Sequence, residues 1–311
     1  MGGLIGLDWG TSALRAYKLD AAGRVEETRS RPWGIRRLPE GGFTAALAEV
    51  TRGWPTDLPR LACGMAGSRG GWCEVPYVDL PADSSSVASH LGRVQTDHGD
   101  ELHLVPGLRD PRGPDMLRGE ETQLIGALSL KPELAADSTW ILPGTHSKWM
   151  LVRNQSMVGF HTYMTGELFA LLREHSIMGA GHGPVAQDTK SFAHGVTTVH
   201  DGGSAGAFSR LFSARALMLD GALQRDAVFD YLSGLLIGEE FRAALADHLV
   251  AAGATVQLIG EPGLCDRYRR AAALFEIDAA PPLQDAAAHG LWDLAVQAHL
   301  TARATEASPT C

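Results

Sequence analysis

Apolar positions in the first thirty residues come in three short bursts. Residues 4–7 form a continuous apolar run, read as a buried strand. Residues 13–19 alternate, with Leu14, Ala16 and Tyr17 set among Arg15 and Lys18. After a turn at 20–24, Val25–Arg31 reads as a third strand. The period then lengthens. Phe43, Ala46, Leu47 and Val50 fall at i, i+3, i+4 and i+7, which predicts a helix, and 61–65 returns to strand spacing before the loop "AGSRGGW".

The same order recurs later. Strands are predicted at 140–142, 149–153 and 157–163, with turns at 143–147 and 154–156, and a helix over 165–173 carries Leu168, Leu171 and Leu172 on one face. Each half has a Gly-Thr turn with a nearby Ser between its first two strands, so an internal duplication is the simplest reading, with chance similarity as the alternative. The rest reads as helices over 208–223, 227–249, 264–275 and 284–300, with a strand at 255–259. Residues 110–119, "DPRGPDMLRG", are the linker candidate, and 301–311 a flexible tail.

Composition narrows the function. With 311 residues, the chain has room for two domains. A net charge of -9 argues against a nucleic-acid footprint. No apolar stretch reaches membrane-spanning length, and "MGGLIGLDWG" lacks a basic n-region, so no membrane partner and no signal peptide are expected. Cys63, Cys73, Cys265 and Cys311 form no CxxC pair, which leaves zinc-ribbon and thioredoxin readings without support and favours a cytoplasmic protein with free thiols.

Familiar nucleotide signatures are missing. There is no GxxxxGK[ST]; "GAGHG" at 179–183 imitates GxGxxG but runs into Pro184; "AGSRG" at 66–70 has Ala66 where a hydrolase elbow needs Gly. His175, His182, His194 and His200 match no metal-site spacing and read as polar-loop residues. Two Gly-Thr turns, however, can offer backbone N–H groups and hydroxyls to a polyphosphate. Asp8, at the end of the first strand, suits Mg²⁺, a cation that favours oxygen ligands; alone, it would read as an Asx-turn residue.

"GLDWGTSALRAY" resembles the first phosphate motif of the sugar kinase, actin and heat-shock chaperone superfamily. "LPGTHSKWM" resembles the second, and "LIGEPGLCDRY" stands in the place of the adenosine motif. More narrowly, "GMAGSRGGW", "VPYVDLPA", "LRGEETQ", "LPGTHSKW" and "HTYMTGELFALLREHSI" resemble the 2-dehydro-3-deoxygalactonokinase family, from about Gly6 to the late helices. The resemblance implies an α/β, duplicated ribonuclease H-like (actin-like ATPase) fold. Each of two domains would hold a mixed five-stranded sheet, with ATP in a cleft between them. Domain I would cover 1–114, with the last helix, 284–300, packing back on it, and domain II 115–283. It also implies transfer of the γ-phosphoryl group of ATP to the 6-hydroxyl of 2-dehydro-3-deoxy-D-galactonate, and leaves a homodimer open.

By the same resemblance Gly10, Thr11 and Ser12 cradle the phosphates and Asp8 organises Mg²⁺. Gly144, Thr145 and His146 clamp from the second domain, with Ser147 and Lys148 nearby; Lys148 neutralises developing charge or is a solvated strand residue. Gly260, Glu261, Pro262 and Leu264 border the adenosine, with Glu261 toward a ribose hydroxyl. Related sugar kinases place a catalytic Asp at the start of the helix before the second hairpin. Here that place reads Glu120-Glu121, more like the paired glutamates of exopolyphosphatases. Glu120 is the first choice of base and Glu121 the second; Asp79 and Asp83 are outside candidates, and a helix-dipole role is the bland alternative. The substrate carboxylate calls for an arginine fork. Arg69, beside Ser68 and Trp72, leads Arg15 and Arg118, each of which could be a surface ion pair. The rivals are a phosphatase or ATPase of the same fold and a non-catalytic sugar sensor. No residue visibly reads the carbon that separates galactonate from gluconate derivatives.

Overall fold

A computed structural model describes residues 2–96, 99–178 and 188–302. The "GAGHG" loop, His182, Cys311 and most of the tail lie outside these residues. By internal contacts the chain divides into two units. The first takes residues up to Asp137, Val152–Gly159, and everything from Gln284; the second takes Ser138–Leu151 and Phe160–Leu283.

The first unit opens with β1 (Leu4–Trp9), β2 (Leu14–Leu19) and β3 (Val25–Arg31), then α1 (Gly42–Val50) and β4 (Arg60–Gly64). β5 (Val78–Asp79), α2 (Ser84–Ala88), β6 (Gly92–Gln95), β7 (Glu101–Leu104), β8 (Leu108–Asp110), β9 (Asp115–Leu117) and α3 (Glu120–Leu130) follow. The main sheet runs β3-β2-β1-β4-β7-β6, six strands among the described residues rather than the five expected. The extra strand, β6, pairs antiparallel with β7. β1 lies antiparallel to β2 and parallel to β4, and the register sets Asp8 opposite both Arg15 and Cys63. The expected linker is instead an antiparallel pair, β8 with β9, in a small sheet with β5. Its Pro and Gly residues make a turn, a signal that hairpins and linkers share. Ile5, Leu7, Trp9, Leu14 and Leu104 are almost fully buried in this unit's core.

The last helix, α9 (Ala286–Gln297), packs on α3 and against β1. Two glycines allow the helices to touch. A Cβ on Gly290 would sit 1.8 Å from the Thr122 carbonyl oxygen, and one on Gly126 1.9 Å from that of Ala286. Neither obstacle is a flexible side chain. Gly290→Val is therefore expected to destabilise the protein by about 3 kcal/mol or more, read by denaturant unfolding; a loss under about 1 kcal/mol would contradict this packing.

The second unit comprises β10 (Asp137–Leu142), β11 (Ser147–Arg153), β12 (Ser156–Tyr163), α4 (Thr165–His175), α5 (Thr189–His200), α6 (Ser213–Leu219), α7 (Val228–Ala246), β13 (Thr255–Leu258), α8 (Pro262–Leu274) and β14 (Asp278–Ala279), apart from the strand residues that group with the first. Its sheet runs β12-β11-β10-β13-β14, with β10 parallel to β13. Helix α7 is buried on nearly every side, as an all-round apolar helix must be. It crosses α5 at another glycine pair: a Cβ on Gly195 would meet the Tyr231 carbonyl oxygen at 2.1 Å, and one on Gly234 that of Phe192 at 2.1 Å. The single helix expected over 208–223 is broken into a 3₁₀ turn, Phe208–Arg210, and α6. Gly221, at φ 73°, ends α6 in the left-handed conformation, and the Ala222 N–H turns back to the Leu217 carbonyl at 2.9 Å.

Candidate active site

The first turn lies between β1 and β2. The Gly10 N–H donates to the Ala13 carbonyl at 2.9 Å, which closes the turn and leaves Thr11 half-buried and Ser12 exposed. Residues 33–37 run alongside it. The Ile35 N–H donates to the Gly10 carbonyl at 3.1 Å and the Arg36 N–H to that of Thr11 at 3.4 Å. Trp9 donates its indole N–H to the Trp33 carbonyl at 2.8 Å. A Cβ on Gly34 would fall 2.1 Å from the Thr11 carbonyl oxygen. The sequence reading passed over this segment, although a glycine between Trp33 and Ile35-Arg36-Arg37 was a signal for close backbone approach.

Asp8, half-buried, lies on β1 two residues before Gly10. Burial pushes its carboxyl up from the ordinary range, and Arg15 opposes that. Arg15 is exposed, and Tyr17 first, then the Asp8 charge, favour its charged form. The Cys63 sulfur lies 4.0 Å from Asp8 Oδ1. Burial pushes the Cys63 thiol well up, and Asp8 and Glu121 add to that.

Helix α3 begins against the end of β4: a Cβ on Gly119 would meet Gly64 Cα at 3.2 Å. This contact sets the start of α3, with Glu120 and Glu121, against the C-terminal end of β4, which pairs with β1 at Asp8. Glu121 is completely buried, and its two carboxylate oxygens accept from the Gly119 N–H at 2.6 Å and the Thr122 hydroxyl at 2.8 Å. Glu120 is half-buried and accepts from the Arg118 N–H at 3.1 Å. Burial, reinforced by the neighbouring Glu120 charge, pushes the Glu121 carboxyl up to about 7 from 4.5.

That shift has a sign. Between these values the folded chain holds a proton that the unfolded chain has released, so stability falls as pH rises through the window, by about 3 kcal/mol in all. Glu121→Gln keeps an acceptor for Gly119 and a donor for Thr122. It is expected to raise Tm at pH 8 by several degrees and to change it little at pH 4.5. An equal shift at both values would refute the buried-acid account.

The "GSRGGW" loop is tightly closed. Ser68 donates its hydroxyl to the Met65 carbonyl at 2.7 Å, and the Gly71 N–H donates to the Ser68 carbonyl at 2.8 Å. Trp72 stacks on Phe43 at 5.3 Å and meets Trp9 edge-on at 5.9 Å, so it anchors the loop in the core instead of facing a substrate. Ser68 likewise shapes the loop. Arg69 is exposed at its tip and has no hydrogen-bond or ion-pair partner among the described residues. Arg118 does not fit the role of carboxylate fork. It is buried, donates to the Val75 carbonyl at 2.7 Å and stacks on Tyr77 at 4.4 Å. Asp79 is paired with Arg109 at 2.7 Å, and Asp83 caps α2 by accepting from the Ser86 N–H at 2.8 Å, so both carboxylates have structural work.

In the second unit, the turn between β10 and β11 leaves Thr145 and His146 exposed. Ser147 is a correction. It is fully buried, and its hydroxyl donates to Glu240 at 2.9 Å. Glu240 also receives Trp149 Nε1 at 2.9 Å and the Tyr268 hydroxyl at 2.5 Å. Burial raises its carboxyl, and these donors oppose that rise. Lys148 is buried too, with Nζ donating to Thr162 at 2.9 Å, so it is not the solvated strand lysine weighed above.

Gly144 lines a cavity of about 180 Å³ with Phe169, Leu264, Arg267 and Tyr268. Leu264 and Arg267 also line a neighbouring cavity of about 450 Å³ with Glu261, Thr189 and Phe192. Glu261 caps α8, accepting from the Gly263 N–H at 2.9 Å and the Leu264 N–H at 2.7 Å, while Pro262 holds the first helical position. Its carboxylate keeps lone pairs for another donor. Arg267 is held by fully buried Asp230. The sequence reading missed Asp230 and Glu240, although an acid within the apolar run of α7 was a visible signal.

Among the described residues no cluster of three His, Cys, Asp or Glu side chains forms a metal cage. A single carboxylate such as Asp8 suits Mg²⁺, which keeps most of its waters and binds through one or two carboxylates and a polyphosphate.

Residues 8–294 match the family model described as 2-keto-3-deoxy-galactonokinase. With two sheet-containing units, an α/β fold consistent with the actin-like ATPases, the chain is a carbohydrate kinase. It is 38% identical over 270 residues to the 2-dehydro-3-deoxygalactonokinase of Escherichia coli (strain K12), covering 86% of this chain and 88% of the relative. It is 39% identical to the probable 2-dehydro-3-deoxygalactonokinase DgoK1 of Rhizobium meliloti (strain 1021), covering 85% and 87%. A crystal structure of a Sinorhizobium meliloti protein assigned the same activity superposes with a TM-score of 0.84 at 34% identity, over 94% of this chain and 98% of that one. The chain belongs to the 2-keto-3-deoxy-galactonokinase family.

Proposed function

We propose that the chain transfers the γ-phosphoryl group of ATP to the 6-hydroxyl of 2-dehydro-3-deoxy-D-galactonate, giving ADP and 2-dehydro-3-deoxy-6-phosphogalactonate, a step of galactonate breakdown. The family match carries this reading, because it runs from the first phosphate turn to α9. The two similar strand orders, each with a glycine-paired helix crossing, favour a duplicated actin-like fold. In that reading Gly10, Thr11 and Ser12 contact the polyphosphate, as do Gly144, Thr145 and His146. Leu264, Glu261 and Arg267 border the adenosine.

Glu120 takes the proton of the attacking hydroxyl, and Glu121 holds the helix start in place. Arg69 binds the substrate carboxylate as a bidentate fork. Asp8 would hold Mg²⁺, which supplies neutralisation of phosphate charge. Phosphoryl transfer of this kind rests on positioning and electrostatics, not on a covalent intermediate. No helix among the described residues is long and apolar enough to cross a membrane, and with three described cysteines free a cytoplasmic site of action is the reading we favour.

A coupled ADP-release assay with and without 2-keto-3-deoxy sugar acids tests the proposal, and epimeric substrates define its specificity. ADP release that needs the galactonate derivative is the expected result. Equal release without any sugar acid would instead support an ATPase or phosphatase.

A further inference from the structure

The family motifs quoted above include "MTGELF", whose acid, Glu167, has no part in the reading so far. It stands in the first turn of α4, against the second phosphate turn. A Cβ on Gly166 would lie 2.4 Å from the Gly144 carbonyl oxygen, so helix and turn are in backbone contact. The Glu167 N–H donates to the Thr145 carbonyl at 3.0 Å. The Glu167 carboxylate meets His146 Nε2 at 2.5 Å, with both side chains about half exposed. A surface pair of this kind contributes little to stability. Its place on a phosphate turn calls for another explanation, since an acid there repels a polyphosphate unless its charge is answered.

We infer that Glu167 is a positioning residue: it holds the His146 ring so that Nδ1–H donates to a phosphate oxygen of the nucleotide. With Nε2 committed to the carboxylate, Nδ1 is the ring nitrogen left for a ligand. A phosphate oxygen only accepts, so in this arrangement Nδ1–H donates to it while Nε2–H donates to the Glu167 carboxylate. The other charged groups around the turn are engaged elsewhere. Lys148 Nζ is bonded to Thr162, Glu240 receives the Ser147 hydroxyl, and Arg267 is paired with Asp230. His146 is exposed on this turn, and among the described residues its Nε2 is the ring nitrogen that is bonded. The inference deepens the nucleotide-binding role of the turn and rests on it.

The test is calorimetric binding of ADP, with Mg²⁺ and without sugar acid, to wild type, Glu167→Gln, His146→Gln and the double variant. Each single change is expected to raise Kd about five- to tenfold, and the double variant to be no worse than His146→Gln alone, because both remove one interaction. The Mg²⁺ concentration needed for half-maximal activity should stay unchanged in Glu167→Gln. Additive losses, or an unchanged Kd in Glu167→Gln, would overturn the inference. So would a raised Mg²⁺ requirement, which would make Glu167 a metal ligand. Wild type that binds no ADP at all would overturn the nucleotide reading, and this inference with it. Unfolding midpoints of all four proteins separate loss of binding from loss of fold.

Discussion

Glu120→Gln is expected to lower kcat by about 10²- to 10⁴-fold with KM for ATP close to wild type. The substitution keeps the volume and the oxygen that accepts from the Arg118 N–H, and removes only the ability to take a proton. Of the two acids at the start of α3, Glu120 is the more accessible, and Glu121 has both oxygens occupied in full burial. Glu121→Gln should therefore cost much less in kcat while changing the pH dependence of stability. The reverse order would exchange their roles. If both variants keep the wild-type kcat, general-base catalysis from this helix start is wrong.

Arg69→Ala is expected to raise KM for the keto-acid by about ten- to a hundredfold and to leave KM for ATP unchanged. Arg118 is bolted to the Val75 carbonyl and Tyr77, and of the two exposed candidates, Arg15 and Arg69, it is Arg69 that stands at the tip of the glycine-rich loop. Arg69→Lys should recover part of the loss, because an ammonium keeps the charge but cannot match a carboxylate with two parallel donors. An unaltered KM for the keto-acid in Arg69→Ala would move the carboxylate site elsewhere, and the exposed pair Arg36 and Arg37 beside the first turn would be the next to test.

Elements whose apolar spacing is local were legible in the chain. The three opening strands, the hairpin of β11 and β12, and α1, α4, α7, α8 and α9 all lie close to their expected positions. Their boundaries moved by a few residues, as fraying and capping decide them. Misses came where one signal serves two structures. The Pro- and Gly-rich stretch before α3 reads equally as linker or turn, and only pairing with β8 makes its residues 115–117 a strand. Helix α6 was overextended because its apolar spacing continues past Gly221, whose left-handed conformation stops it.

The Gly-Thr turns and the acid pair were also legible, because each is written in a contiguous motif. The state of each side chain was not. Ser147, Arg118 and Trp72 look like ligand-facing residues in the sequence; in the structure Ser147 and Arg118 are buried partners of Glu240 and Val75, and Trp72, partly buried, stacks on Phe43. Burial and pairing depend on residues tens of positions away, and no local window contains them. The sequence alone determined the two Gly-Thr turns, the acids of α3 and the family, since these need only neighbouring residues. Tertiary structure decided which of those groups still has a free hydrogen-bonding face, because that is set by what packs against it.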